Sequence, residues 1–166
     1  MKKKLVLLLP VIFGVIALDQ LTKVLVLKLM TLGQSISVIP GVINLTYIQN
    51  RGAAFGMLSN HRWVFMVISI VAIGGIGAYL FGFCQERISL QLGLAMIVGG
   101  GVGNMIDRIA YGYVVDMIDF CLFSFWKWIF NVADAFVCIG AGFVVLALIL
   151  DIISESRKKK EKNENN

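Results

Sequence analysis

Asp116 and Asp134 are the residues most suited to chemistry. Asp116 sits in the apolar segment Tyr113-Val-Val-Asp-Met-Ile118, and no other charged residue accompanies Asp134 at the head of the long apolar run that begins near Phe130. If the first segment folds back toward the second, two carboxylates meet where water can reach them. Like charges held close cannot both ionise easily, so such a pair shares one proton. One member then acts as base toward water and the other as acid toward the substrate. That is aspartic peptidase chemistry, and it requires no metal. Spacing alone leaves ion-path and helix-packing roles open for the same two residues.

Other polar residues lie inside apolar runs, where an ionisable group costs several kcal/mol or needs a partner. Asp19 and Lys23 stand i, i+4 apart and share a helix face, which suits either an ion pair that joins helices or a part in a site. Asp107 and Arg108 close a third apolar run, with Asn104 one turn before them and Asn131 just ahead of Asp134. Charge is tolerated at such a membrane boundary, so Asp107 and Arg108 suit anchoring or phosphate contact as well as chemistry. Asp119 reads as a loop surface group and Asp151 as a group near the inner interface. The run Gly99-Gly-Gly-Val-Gly103 reads as a close helix contact, because it has neither the lysine nor the preceding strand of a phosphate loop. Cys84, Cys121 and Cys138 are odd in number and widely spaced, and His61 is the single histidine, so free thiols and no metal or other cofactor are expected.

The elements that must position these groups are membrane helices. The chain has 166 residues, of which 58% are hydrophobic and 15% charged; soluble domains carry roughly 25% charged residues. A bilayer core about 30 Å thick needs about 20 apolar residues in helix. Four runs qualify: Leu5–Leu29, Trp63–Phe83, Ile88 to about Ile109, and about Phe130–Ile153, with a basic tail over 154–166. The expectation is a single integral membrane domain spanning 1–166. The start resembles a secretory signal peptide, but no small-residue cleavage site follows, so a retained first helix is expected. The short connection Cys84-Gln-Glu-Arg87 makes the second and third helices antiparallel.

Lys2, Lys3 and Lys4 at one end and the lysine-rich tail at the other account for the whole net charge of +5. Basic flanks stay in the cytoplasm, so both termini are expected there. Such ends fit contact with lipid headgroups and not a nucleic-acid groove. Two segments then lie outside. The first, Met30 to Arg62, carries Ser35–Ile39 and Val42–Ile48 split by Pro40-Gly41 and reads as a small hairpin-like β element between helices one and two. The second, Ala110 to Ile129, carries Phe120, Phe123, Phe125, Trp126 and Trp128, suited to the headgroup region. At about 1.5 Å per residue, Asp19 lies about 21 Å along its helix and Asp107 about 28 Å, with Asp134 about 6 Å inside the opposite start of its own. All three reach the outer third, which points to one buried polar site.

Five blocks in order, Asp19-Gln-Leu-Thr-Lys23, Asn50-Arg-Gly-Ala-Ala-Phe55, Gly100-Gly-Val-Gly-Asn-Met-Ile-Asp-Arg108, Val115-Asp116 and Phe130-Asn-Val-Ala-Asp134, resemble the lipoprotein signal peptidases, or signal peptidase II. The resemblance runs from the first helix to the fourth. It implies a bacterial membrane aspartic endopeptidase that cuts prolipoproteins before a diacylglyceryl-modified cysteine, with Asp116 and Asp134 catalytic. It places Asp19, Lys23, Asn50, Gly52, Asn104, Asp107, Arg108 and Asn131 around the dyad or against substrate, and makes the hairpin-like segment part of an extracytoplasmic β-cradle. The implied partners are lipid-modified prolipoproteins and membrane lipids, without nucleic acid, and a monomer is expected. Met117 and Ala135 depart from the family's usual phenylalanine and serine. Two other classes make contrary demands: an ion-coupled transporter needs charges spread through the membrane depth and related halves, and a packing subunit needs only interhelical glue.

Overall fold

A computed structural model of the chain describes residues 2–52, 62–83, 87–122 and 128–164. Ala53 to Phe55 of the second block, His61, the connection from Cys84 to Glu86, and Phe123, Phe125 and Trp126 lie outside the described residues.

The described residues form four long helices, α1 (Lys2–Leu29), α2 (Arg62–Ala78, continued by a π-helical turn over Tyr79–Phe83), α3 (Ile88–Ala110) and α4 (Val132–Glu164). Each is long and apolar enough to cross a membrane. Val67, Ile68, Ile70 and Val71 of α2, and Leu146, Leu148 and Ile149 of α4, are exposed. A lipid solvent permits this, since acyl chains are as apolar as the side chains that meet them.

The central helix is α3, and its glycines explain why. A Cβ at Gly99 would stand 2.9 Å from Val15 Cβ of α1, one at Gly101 would stand 2.8 Å from Ile73 Cδ1 of α2, and one at Gly100 would run into the Ala133 carbonyl oxygen of α4. Successive helix positions turn by about 100°, so neighbouring glycines open α3 to three different helices. Farther down, a Cβ at Gly93 would lie 2.6 Å from the Gly140 carbonyl oxygen, and one at Gly140 would lie 2.5 Å from that of Gly93. These contacts also set direction. Ile12 and Val15 meet Gly99 while Asp19 meets Gly103, so α1 and α3 are parallel; Gly93 meets Gly140 while Gly100 meets Ala133, so α4 is antiparallel to both. The start of α1 and the end of α4 therefore emerge on the same side. Packed among these helices is a core of Leu8, Ile12, Leu80, Leu90, Leu94, Ala95, Val98 and Ala147.

On the opposite side sits a four-stranded antiparallel sheet in the order β1 (Ser35–Ile39), β2 (Ile43–Asn50), β3 (Val114–Phe120), β4 (Ile129–Phe130). Gly41 at φ 73° turns β1 into β2, a conformation that side chains with a Cβ disfavour. Leu45 pairs with Ile118, but Ile48 pairs with Asp116, so β2 spends three residues against two of β3. This bulge re-phases the end of β2 and sets Asn50, opposite Val114, diagonal to Asp116. Val26, Met30, Tyr47, Val115 and Met117 form a second buried core that fastens the sheet to the end of α1.

Three expectations are corrected. The β element is not confined to the stretch between helices one and two, because the second outer segment contributes β3 and β4. Helix four starts at Val132 and not Phe130, since Ile129 and Phe130 pair with Asp119 and Ile118. The tail is helical through Glu164 rather than ending at Ile153, its Ser154 and Ser156 hydroxyls donating back to the carbonyls of Asp151 and Ile152.

A groove of about 340 Å³ runs between α2 and α3, lined by Ile70, Ile73 and Gly74 on one side and Val102, Met105 and Ile109 on the other. Tyr79 of the π-helical turn meets Leu90 at the other end, so α2 and α3 are antiparallel as expected.

Within α4, Gly140→Ala and Gly142→Ala are the same change on one helix, and a Cβ at Gly142 meets nothing within 4 Å. Overpacking costs about 1–3 kcal/mol, or a fall of roughly 2–12 °C in a chain of this size. Thermal unfolding in detergent is expected to show that fall for Gly140→Ala and none for Gly142→Ala.

Candidate active site

The polar residues of α1 and α3 meet the head of α4 and the sheet in one connected network. Asp19, Lys23, Asn104, Asp107, Asp116 and Asn131 are all buried. At the deep end, Lys23 Nζ lies 2.8 Å from Asp19 Oδ2 and 3.0 Å from Asp107 Oδ2, and donates to Asn104 Oδ1 at 3.0 Å. The ammonium thus has a full set of three acceptors.

Asp19 and Asp107 each spend their remaining capacity on backbone. Asp19 Oδ1 accepts from Ala133 N at 2.9 Å, satisfying an orphan donor in the first turn of α4, where negative charge is also favoured by the helix dipole. Asp107 Oδ2 accepts from Val115 N at 3.0 Å, which holds β3 against α3 one residue before Asp116. Gln20, unremarked as a site residue in the sequence, completes this layer: its Nε2 donates to Asp107 Oδ1 at 2.9 Å, to Gly103 O at 3.1 Å and to Asp19 Oδ2 at 3.2 Å. Its one signal was a polar residue beside Asp19 at the same depth. Gly103 is obligatory here, since a Cβ would come within 2.6 Å of Asp19 Oδ2.

The outer layer holds Asp116 and Asp134 on a frame of asparagines. Asn131 precedes α4 and caps it: its Oδ1 accepts from Asp134 N at 2.9 Å, and Asp134 Oδ2 accepts from Asn131 N at 3.3 Å. This reciprocal pair is a capping box, so Asp134 is placed by the same bonds that start the helix. Asn131 Nδ2 donates to Asp116 Oδ1 at 2.6 Å and to Asn104 Oδ1 at 3.0 Å, while Asn104 Nδ2 donates to Asp134 Oδ1 at 2.7 Å. Asn50 Nδ2 reaches Asp116 Oδ2 at 2.9 Å, and Asn50 Oδ1 accepts from Gly52 N at 3.1 Å. One side chain, Asn131, therefore touches both aspartates. Asp116 is almost fully buried, and Asp134 is partly open.

The aspartates of the network divide by electrostatics. Asp19 and Asp107 are ion-paired with Lys23; among the described residues no cation is ion-paired with Asp116 or Asp134. Arg108 donates from Nη1 to Asn104 O at 3.3 Å and places its charge toward Asp134, Asp116 and Asp107. Asp116 lies on β3, outside the membrane spans, and burial pushes its carboxyl up to about 6. The negative charge of Asp134 adds to the rise, and the amides of Asn50 and Asn131 together with Lys23 oppose it.

Every residue expected at the site is in or beside this network. Met117 is buried in the core under the sheet, as strand alternation requires for the neighbour of Asp116, and Ala135 N donates to Asn131 O within α4. Asp119 accepts from Thr46 Oγ1 on the sheet, and Asp151 pairs with Arg87 far down the bundle. Among the described residues no group of three His, Cys, Asp or Glu side chains could hold a metal ion, and the space between Asp19 and Asp107 is filled by the Lys23 ammonium. Every buried side-chain nitrogen and oxygen among them has a hydrogen-bond partner.

The sequence and the fold have known relatives. The family model described as Signal peptidase (SPase) II matches residues 11–150. The chain is 47% identical over 137 residues to the lipoprotein signal peptidase of Brevibacillus brevis, covering 82% of this chain and 91% of that one. It is 40% identical over 147 residues to the lipoprotein signal peptidase of Clostridioides difficile, covering 89% and 97%. Among solved structures, a bacterial membrane enzyme determined by the in meso method at 2.3 Å resolution is 33% identical and superposes with a TM-score of 0.82 over 87% of this chain and 88% of that one. A second, at 1.9 Å, is also 33% identical and superposes with a TM-score of 0.78 over 85% and 91%. The match extends through all four helices and both strand-bearing segments, and the chain belongs to the signal peptidase II family of aspartic-type membrane peptidases.

Proposed function

We propose that this chain removes signal peptides from diacylglyceryl-modified prolipoproteins, cutting before the lipidated cysteine with Asp116 and Asp134 as a catalytic dyad. The observation that carries the reading is a pair of aspartates that, among the described residues, form no ion pair and meet the charge of Arg108 only at a longer distance, in a network where the other two are paired with Lys23. Asparagine amides orient both carboxyls without fixing their charge, so one proton can be held between them.

In this mechanism the ionised carboxylate takes a proton from a water whose oxygen attacks the scissile carbonyl carbon, and the protonated partner gives its proton to the carbonyl oxygen. Collapse of the tetrahedral intermediate breaks the C–N bond, with the departing nitrogen taking up a proton from the dyad. Asp19, Lys23, Asp107 and Asn104 act as positioning residues, and Asn50, Gly52, Arg108 and Asn131 line the dyad where substrate backbone enters.

The site's level supports a lipid-borne substrate. Asp134 sits in the first turn of α4 and Asp116 in the sheet above it, so a scissile bond near the headgroups meets the dyad while its acyl chains remain in the bilayer. The basic ends of the chain support a topology with both termini in the cytoplasm of a bacterial cell and the dyad on the extracytoplasmic side of its membrane. Membrane lipids are the surrounding partner, and the proposed working unit is a single integral membrane domain acting as a monomer.

Asp116→Asn and Asp134→Asn are each expected to lower cleavage of a lipidated precursor peptide in reconstituted membranes by at least about a hundredfold while the helical circular dichroism is unchanged. Retained turnover in either variant would sink the dyad. The pH profile supplies an independent check. A dyad that needs one proton is active below the pKa at which that proton leaves, and Asp116 is raised from its usual acidic value to about 6. The log of kcat/KM is therefore expected to fall on the alkaline side with an apparent pKa near that value, which belongs to the pair. Asn50→Ala removes a donor that favours the ionised form, so it is expected to move this limb to higher pH; a shift to lower pH would contradict the assignment.

A further inference from the structure

The end of the bundle opposite the dyad holds a cavity that the peptidase chemistry does not use. It measures about 380 Å³ and lies between Tyr79 and Leu90 on one side and Leu148, Asp151, Glu155 and Lys158 of α4 on the other. Leu90 is fourteen residues from Asn104 along α3, and Asp151 is seventeen from Asp134 along α4, or about 21 and 26 Å at 1.5 Å per residue. A hydrocarbon core is about 30 Å thick, so the cavity sits at the far membrane boundary.

Its lining is divided. Leu90 and Leu148 form an apolar wall, and Leu148 is itself exposed among the lipid-facing residues of α4. Above them, Asp151, Glu155 and Lys158 recur every three or four residues on one face of α4, and Arg87, the residue that precedes α3, pairs through Nε with Asp151. Two acidic and two basic side chains give the rim no net charge, and among the described residues Glu155 and Lys158 form no ion pair, so their charges stand free to meet a ligand beside the Arg87–Asp151 pair. A π-helical turn begins at Tyr79 on the facing wall; such widened turns recur where helices build sites.

We propose that this cavity binds the headgroup of a zwitterionic phospholipid carrying a primary amine, with its acyl chains descending along Leu90 and Leu148. The ammonium lies against Asp151 and Glu155, and the phosphate against Lys158 and the guanidinium of Arg87. The charge balance selects the headgroup. An anionic glycerol headgroup adds negative charge beside two carboxylates and brings no cation for Glu155, and a choline has no N–H to donate to either carboxylate. A bound lipid of this kind ties the helical extension of α4 to α2 and α3 at a level where the side chains on α4 are largely charged.

The test uses the full chain in detergent, titrated with phosphatidylethanolamine, phosphatidylglycerol or phosphatidylcholine while the unfolding midpoint is read. At about ten times the dissociation constant, phosphatidylethanolamine is expected to raise the midpoint by roughly 3–6 °C. The other two lipids should raise it by far less, and Glu155→Gln and Lys158→Gln should each remove most of the rise while cleaving a lipidated precursor at the parent rate. Native mass spectrometry of the unsubstituted chain should retain one phosphatidylethanolamine. Equal shifts with all three lipids, an undiminished shift in both variants, or no retained lipid would overturn the site. Soluble phosphoethanolamine giving the full shift would overturn its assignment to a lipid.

Discussion

The structure depends on one buried ammonium. Lys23 Nζ sits inside the bundle with Asp19 of its own helix, Asp107 of α3 and the Asn104 amide oxygen around it. Each of those acidic partners uses its other bonds to hold a different element, Asp19 the first turn of α4 and Asp107 the start of β3. The charge of Lys23 offsets the cost of burying both carboxyl groups at that depth, where each also accepts from a backbone N–H group. Removing one member of such a buried set typically costs about 3–5 kcal/mol because the remaining charges are left uncompensated. The ion cluster is thus a junction of four elements, and the dyad stands on it.

The division of labour within the network follows from the donors available. Where an aspartate has to be a fixed anion, the chain supplies a lysine; where it has to exchange a proton, the chain supplies asparagines. An amide donor orients a carboxyl through one N–H and carries no net charge, so it holds position at a smaller electrostatic cost to protonation than an ammonium. Asn131 takes this furthest, since its side chain reaches Asp116 and Asn104 while its backbone and amide oxygen form the cap that holds Asp134. A helix start, a strand and an acid pair are registered to one another by a single residue.

Much of this was legible in the order of residues. Apolar run length located the four spans, and the residue rise placed Asp19, Asp107 and Asp134 at one level before any contact was known. The Gly99–Gly103 run announced a close helix contact, though not that three helices would share it. What stayed hidden depends on pairing between distant segments. Val114–Phe120 carries no strand signal in the sequence, because its four buried residues in succession lack the alternation that marks a half-exposed strand. The i, i+4 spacing joined Lys23 to Asp19, but nothing local indicates the second bond to Asp107, which exists only because Gly103 lets α1 and α3 approach. The helical continuation past Ile153 has no clear sequence signal, since a charged segment can be helix or coil with equal ease.

The glycine contacts of α3 also decide where the molecule has slack. Backbone pressed on backbone, as at Gly93 with Gly140 and Gly100 with Ala133, has no rotamer to exchange, so the α3–α4 seam is stiff along its length. The α2–α3 seam is different, because there Ile70, Ile73, Met105 and Ile109 surround a groove of about 340 Å³ with rotatable side chains. Room for side-chain rearrangement is therefore greater at the α2–α3 groove than at the α3–α4 seam. Repacking is thus possible on the α2 side without moving the backbone contacts between α3 and α4 that sit beside Asp134.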